Sequence, residues 1–151
     1  MKQLKSLAIG ILLLLGMGVL GACSKGESNL PEVTVFKTST CSCCVKWVRH
    51  LEANGFTVKM TNMPDVTPMK DQYGVPTNLR SCHTAVVGGY VVEGHVPAED
   101  IIKLLGEDLD VAGLAVGGMP MGSPGMEGAR KDAYEVTAFK KNGEQSVFAH
   151  R

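Results

Sequence analysis

Three cysteines in four residues, Cys41-Ser42-Cys43-Cys44, stand where a short strand-like run gives way to a helical pattern, and this junction constrains the chain more than any other feature. Val33 to Phe36 reads as a strand, and Cys43 to Asn54, with Val45, Val48 and Leu51 at helical spacing, reads as a helix closed by Gly55. At such a junction the unsatisfied N–H groups and the helix dipole favour thiolate over thiol. A sulfur held there is either a nucleophile or a metal ligand.

The remaining pattern follows from turn and capping residues. Phe56 to Met60 is expected as a second strand. Pro68 to Tyr73 is expected as a short helix capped by Thr67 and ended by Gly74. Thr84 to Val87 and Tyr90 to Glu93 flank Gly88-Gly89, a hairpin signal. Pro97 opens a helix carrying Ile101, Ile102, Leu104 and Leu105 and ending at Gly106. The segment from about Ala112 to Gly128 is rich in Gly, Met and Pro and reads as a long functional loop. A second hairpin, Tyr134–Phe139 with Gln145–Ala149, turns at Asn142-Gly143. The expected fold is α/β: a mixed sheet with flanking helices and an added C-terminal β-hairpin, in an element order that resembles the thioredoxin fold.

A chain of 151 residues suits one cored domain, expected over residues 32–151. Hydrophobic residues make up 44% but aromatics only 5%, so the core must be built from Val, Leu, Ile, Ala and Met. Beyond residue 22 there are 13 Lys and Arg against 15 Asp and Glu, a balance that offers no basic patch for nucleic acid.

Residues 1–22 carry Lys2 and Lys5, an apolar run from Leu7 to Leu20 interrupted by glycines, and then small residues, the layout of a secretory signal. The run is too short for a typical membrane span. Leu20-Gly21-Ala22-Cys23 resembles a bacterial lipoprotein box, in which Cys23 is lipidated and anchors the mature chain. Residues 23–31 have the composition of a flexible tether. Ser24-Lys25, with no Asp after the cysteine, resembles an outer-membrane address where the host has two membranes.

Lipidation of Cys23 also resolves an odd count, since five cysteines less one leaves four. Counting back from the first hairpin brings Cys82-His83 beside the Cys41–Cys44 cluster, because the residues just before the third strand of a thioredoxin-like domain abut its Cys-x-x-C. Val75-Pro76-Thr77 is a rival for that turn. The crowded sulfurs Cys41, Cys43, Cys44 and Cys82, with His83, suit a polynuclear Cu(I) site better than a tetrahedral zinc site. Met119 and Met126, in a loop where no helical stripe explains them, add thioethers that zinc seldom uses. His95 is a direct or outer donor. His50 reads as a solvated histidine and His150 as part of a frayed terminus, whereas Trp47 should pack under the cluster. Met60, Met63 and Met69 read as ordinary strand-edge and helix-start residues.

Taken together, Cys41-Ser42-Cys43-Cys44-Val45-Lys46-Trp47, Ser81-Cys82-His83-Thr84-Ala85, Val87-Gly88-Gly89-Tyr90, Glu93-Gly94-His95-Val96-Pro97-Ala98 and the run from Gly117 to Glu127 resemble the CopG-type copper-resistance proteins. The resemblance runs from about Val33 to Phe148. It implies a thioredoxin-like fold, an envelope or periplasmic location, and Cu(I) in a cysteine-bridged cluster with several ions. By position it implies Cys41, Cys43, Cys44 and Cys82 at the metal, with His83, His95, Met119 and Met126 nearby, and it leaves Cu(I)/Cu(II) redox chemistry open. Ser42 stands where many members have glycine, and Met121 is not counted as a ligand. Implied partners are copper ions and other envelope copper-export or copper-resistance proteins, with the membrane met only through the lipid anchor.

Two other readings compete. A thiol-disulfide oxidoreductase would use Cys41 as nucleophile and Cys44 as resolving thiol. A buried structural disulfide between the same two residues is the plainer reading of that pair, and a structural zinc module would unfold on chelation.

Overall fold

The computed structural model describes residues 29–151; the expected signal peptide, Cys23 and most of the tether lie outside them. The elements run β1 (Val33–Thr38), α1 (Ser42–Ala53), β2 (Val58–Met63), α2 (Thr67–Gln72), a 3-10 turn (Thr77–Leu79), β3 (His83–Val87), β4 (Tyr90–Gly94), α3 (Ala98–Glu107), β5 (Gly113–Val116), β6 (Glu135–Phe139) and β7 (Gln145–His150). They form an α/β fold with one mixed seven-stranded sheet in the order β2-β1-β3-β4-β5-β6-β7. The pairs β1/β2 and β4/β5 are parallel, each joined through a helix, and the rest are antiparallel. Among the described residues no helix is long and apolar enough to cross a membrane.

The main core forms where Trp47, Val48 and Leu51 of α1 and Ile101 and Leu104 of α3 meet Val33, Val35, Ala85, Val92 and Leu114 of the sheet. A smaller cluster of Val75, Leu79, Val91, Ala115 and Phe139 forms separately. Because side chains alternate along a strand, Val91 and Val92, like Leu114 and Ala115, join different clusters. Both faces of β4 and β5 are thus buried, which explains their near-continuous apolar sequences.

Several expectations are corrected. The stretch Gly113–Val116 is a fully buried strand rather than the start of a loop. Its four residues are too few for a periodic signal, and Gly113 is needed because a Cβ there would collide with the Val91 carbonyl. Gly106 lies inside α3, which continues to Glu107 and ends where Asp108 turns left-handed at φ 47°. Thr67 is the first residue of α2 and not its cap; instead Asp65 Oδ1 accepts from the Thr67 N–H at 2.9 Å. The strand after Cys82 begins at His83, while Pro76 of the rival turn precedes the 3-10 turn. Both hairpins form as expected, with Gly88, Gly89 and Gly143 at positive φ.

Register decides what lies at the end of the sheet. Lys37 pairs with His83, Thr84 with Glu93, and Gly94 with Val116. The carboxyl ends of β1, β4 and β5 and the amino end of β3 therefore share one edge of the molecule. Cys41, Cys82, His95 and the loop from Gly117 to Gly128 all adjoin that edge.

Candidate metal centre

Cys41 occupies the cap of α1 in an extended conformation, and its sulfur accepts from the Cys44 N–H at 3.3 Å. Cys41 and Cys44 are joined in a disulfide with a Cα–Cα separation of 5.4 Å, while Cys43 and Cys82 are free thiols. The chain thus stands in the oxidised form of its Cys-x-x-C pair. Cys43 Sγ lies 3.5 Å from Cys41 Sγ and 3.9 Å from Cys82 Sγ, and Cys82 Sγ lies 3.5 Å from Cys44 Sγ. All four sulfurs fall within 4.8 Å of one another.

Cys82 also belongs to a second set. His83 Nδ1 is 3.3 Å and His95 Nε2 3.1 Å from its sulfur, and the three ligand atoms again lie within 4.8 Å. Burial, and then the neighbouring Cys43, pushes the Cys82 thiol up to about 12. A bound soft cation would reverse that preference by displacing the proton.

Both imidazoles are held neutral, the state in which they act as ligands. Burial, followed by His95 and Lys70, holds His83 well below its ordinary value. Burial also lowers His95, with the Pro124 carbonyl and Glu127 opposing. The Pro124 oxygen can only accept, so the 2.7 Å contact to His95 Nδ1 places the proton there and turns the Nε2 lone pair toward Cys82. Trp47 packs against His83 with the ring centroids 4.3 Å apart and the planes tilted by 46°, and donates through Nε1 to the Val96 carbonyl at 2.8 Å. Its expected place under the cluster is met. His83 Nε2 is buried with no hydrogen-bond partner.

Met119, Met121 and Met126 line an open cleft of about 380 Å³ together with Ser42, Cys43 and Lys46. The loop reaches α1 only because residue 125 is glycine: at φ +87°, a Cβ there would lie 2.8 Å from both the Cys43 carbonyl and the Trp47 nitrogen. Glu127 then accepts from the Gly125 N–H at 2.7 Å. Cys41, Cys43, Cys44, Cys82, His83 and His95 come together, and Met119 and Met126 line the cleft beside Cys43. Met121, given no role from the sequence, shares that lining. Met60, Met63 and Met69 do not.

His50 corrects an expectation. Its Nε2 accepts from the Ala98 N–H at 3.0 Å, closing the first turn of α3, and burial lowers its pKa against the pull of Glu99 and Glu127. The Pro124 carbonyl was also missed, since a backbone group leaves no residue-type signal.

Comparison with known proteins places this chain in a family. Two solved structures, titled "Copper resistance protein copG- Form 2" and "Copper resistance protein copG- Form 1", are each 48% identical to this chain, with a TM-score of 0.76. Each match covers 80% of this chain and 98% of the other. This chain belongs to the CopG copper-resistance family. A family model described as "Protein of unknown function, DUF411" matches residues 79–126, the stretch from just before Cys82 to Met126. No curated protein matches. Membership of the CopG family and a cysteine cluster able to hold a metal together support a copper-related function.

Proposed function

We propose that this CopG-family protein binds copper in the cell envelope, holding several Cu(I) ions in a polynuclear site of Cys41, Cys43, Cys44 and Cys82. His83 and His95 complete the site, and Met119 and Met126 stand at its mouth. The observation that carries this reading is the meeting of four sulfurs within 4.8 Å, with Cys82 shared by two imidazoles. Sulfurs this crowded suit bridging of Cu(I). Imidazole also suits Cu(II), which is the basis for interconversion of Cu(I) and Cu(II) at the same site. The disulfide must open by two electrons before Cys41 and Cys44 can ligate. The order β2-β1-β3-β4, with α1 and α3 on one core, supports a thioredoxin-like domain over residues 32–151. Residues 1–22 would direct export, Cys23 would carry the lipid, and residues 23–31 would tether the domain to a membrane facing the periplasm, the outer one where there are two. Other envelope copper-export or copper-resistance proteins would exchange the metal.

The reading is tested by anaerobic titration of the reduced full chain with Cu(I) against a competing chelator, with metal counted after gel filtration. More than one tightly held copper per chain is expected. At most one weakly held ion, together with ready reduction of protein disulfides, would favour a thiol-disulfide oxidoreductase instead. The specific observation behind that second reading is the Cys41–Cys44 disulfide at the start of α1. The two extra thiols within 3.5 Å of that disulfide weigh against it, since they offer mispaired products.

A further inference from the structure

Behind the Ser81-Cys82-His83 segment lies a buried charge network that metal ligation does not itself require. Glu93 of β4 is fully buried and Lys70 of α2 almost so. Lys70 Nζ lies 2.6 Å from Glu93 Oε1 and donates to Thr84 Oγ1 at 3.1 Å. Thr84 in turn donates to Glu93 Oε2 at 2.7 Å, and the Ser81 backbone N–H donates to Glu93 Oε1 at 2.6 Å. Burying an ammonium and a carboxylate strips both of water, and an apolar pair of similar volume often stabilises a core as well or better. Stability alone is therefore a poor reason for this arrangement. What the network does supply is a carboxylate with donors on both oxygens and a single orientation.

That orientation is transmitted to Cys82. The Ser81 N–H belongs to the Arg80–Ser81 peptide, one residue ahead of Cys82, so fixing it restrains the backbone that leads into the ligand. Ser81 is gripped on two further sides: its hydroxyl donates to the Gly118 carbonyl, and its Cβ fits only because residue 94 is glycine, where an added Cβ would lie 2.6 Å from it. Cys82 Sγ must meet Cys44, Cys43 and His95 at once, at 3.5, 3.9 and 3.1 Å. A displacement of about 1 Å would spoil that convergence.

We propose that Glu93, charge-balanced by Lys70, is a positioning residue that sets Cys82 through the Ser81 N–H. The proposal rests on the reading of Cys82 as a copper ligand for its purpose but not for its test. In a full chain carrying Cys23→Ser, Cys41→Ser and Cys43→Ser, only Cys44 and Cys82 remain, and the equilibrium constant of their disulfide against glutathione reports how well Cys82 is aimed. Lys70→Met with Glu93→Leu should lower that constant about tenfold or more, a size typical of lost ligand support. Lys70→Met with Glu93→Gln, which keeps an oxygen for Ser81, should restore most of it. An independent arm deletes the donor itself: Ser81→Pro should lower the constant relative to Ser81→Ala, and Arg80 already has the extended φ −64°, ψ 140° that a following proline requires.

An unchanged constant in the folded Leu variant, or equal constants for the folded Ser81→Pro and Ser81→Ala variants, would overturn the proposal. With the native cysteines present, the Leu variant should also bind Cu(I) about tenfold more weakly, with an altered thiolate-to-copper ultraviolet band. Failure of the unsubstituted chain to bind Cu(I) would defeat the copper reading, while the disulfide constants still decide the role of Glu93.

Discussion

Cys82 Sγ stands 3.1 Å from His95 Nε2, and the opposite nitrogen of that ring donates to the Pro124 carbonyl. One imidazole thus links the residue before β3 to the methionine loop. Replacing His95 by Phe keeps the ring volume and removes both contacts. Cu(I) affinity of the reduced chain should fall about 10- to 100-fold, measured by chelator competition. An unchanged affinity would remove His95 from the site.

Titration follows from the same burial. His50, His83 and His95 are all lowered from an ordinary 6.5. The unfolded chain therefore takes up protons first as pH falls, and the stability these groups contribute, complete above 6.5, is lost below it. Cys82 is raised from 9.0, so its contribution is present below that pH and lost as the pH climbs above it. Tm of the metal-free chain should accordingly plateau between these limits and drop on both sides, as thermal unfolding across a pH series would reveal. A Tm that rises below pH 6.5 would contradict the neutral assignment of the imidazoles.

The oxidised and reduced chains should differ in copper capacity. With Cys41 and Cys44 bonded to each other, Cys43 and Cys82 are the free thiols among the described residues. Metal counting should give the oxidised chain about half the copper of the reduced chain or less, with capacity restored by a dithiol.

Cys43→Ser separates ligation from exchange. The Cys41–Cys44 pair stays intact and should still cycle with glutathione, whereas the sulfur between Cys41 and Cys82 is gone. Retained copper per chain should drop while the disulfide potential changes little. A variant that keeps full copper capacity would exclude Cys43 as a bridge.

Gly125→Ala tests how the loop is seated. The new Cβ would meet the Cys43 carbonyl and the Trp47 nitrogen at 2.8 Å, at a φ of +87° that alanine rarely adopts. The expected loss is about 1–3 kcal/mol in urea unfolding, with weaker copper binding as Pro124 moves away from His95.

Much of this was legible along the chain. The Gly88-Gly89 and Asn142-Gly143 turns announced both hairpins, and helical spacing from Val45 to Leu51 announced α1. The chemistry was legible too, because Cys41, Cys43, Cys44 and Cys82 are soft ligands by residue type and His83 is adjacent in sequence. Gly113–Val116 was not legible as a strand, since four residues buried on both sides carry no alternation. His50 was misread because its partner, the Ala98 N–H, lies 48 residues away.

The sequence by itself determined which donors exist and where strands turn, for both are properties of residue type and short-range spacing. Only the tertiary structure decided that Cys41, Cys82, His95 and the methionine loop share one end of the sheet. Parallel pairing of β4 with β5 and antiparallel pairing of β1 with β3 bring three carboxyl ends and one amino end together. The sheet likewise set Glu93 behind Ser81 and Pro124 against His95. Such contacts depend on long-range hydrogen-bond register and on backbone groups, which residue identity does not encode locally.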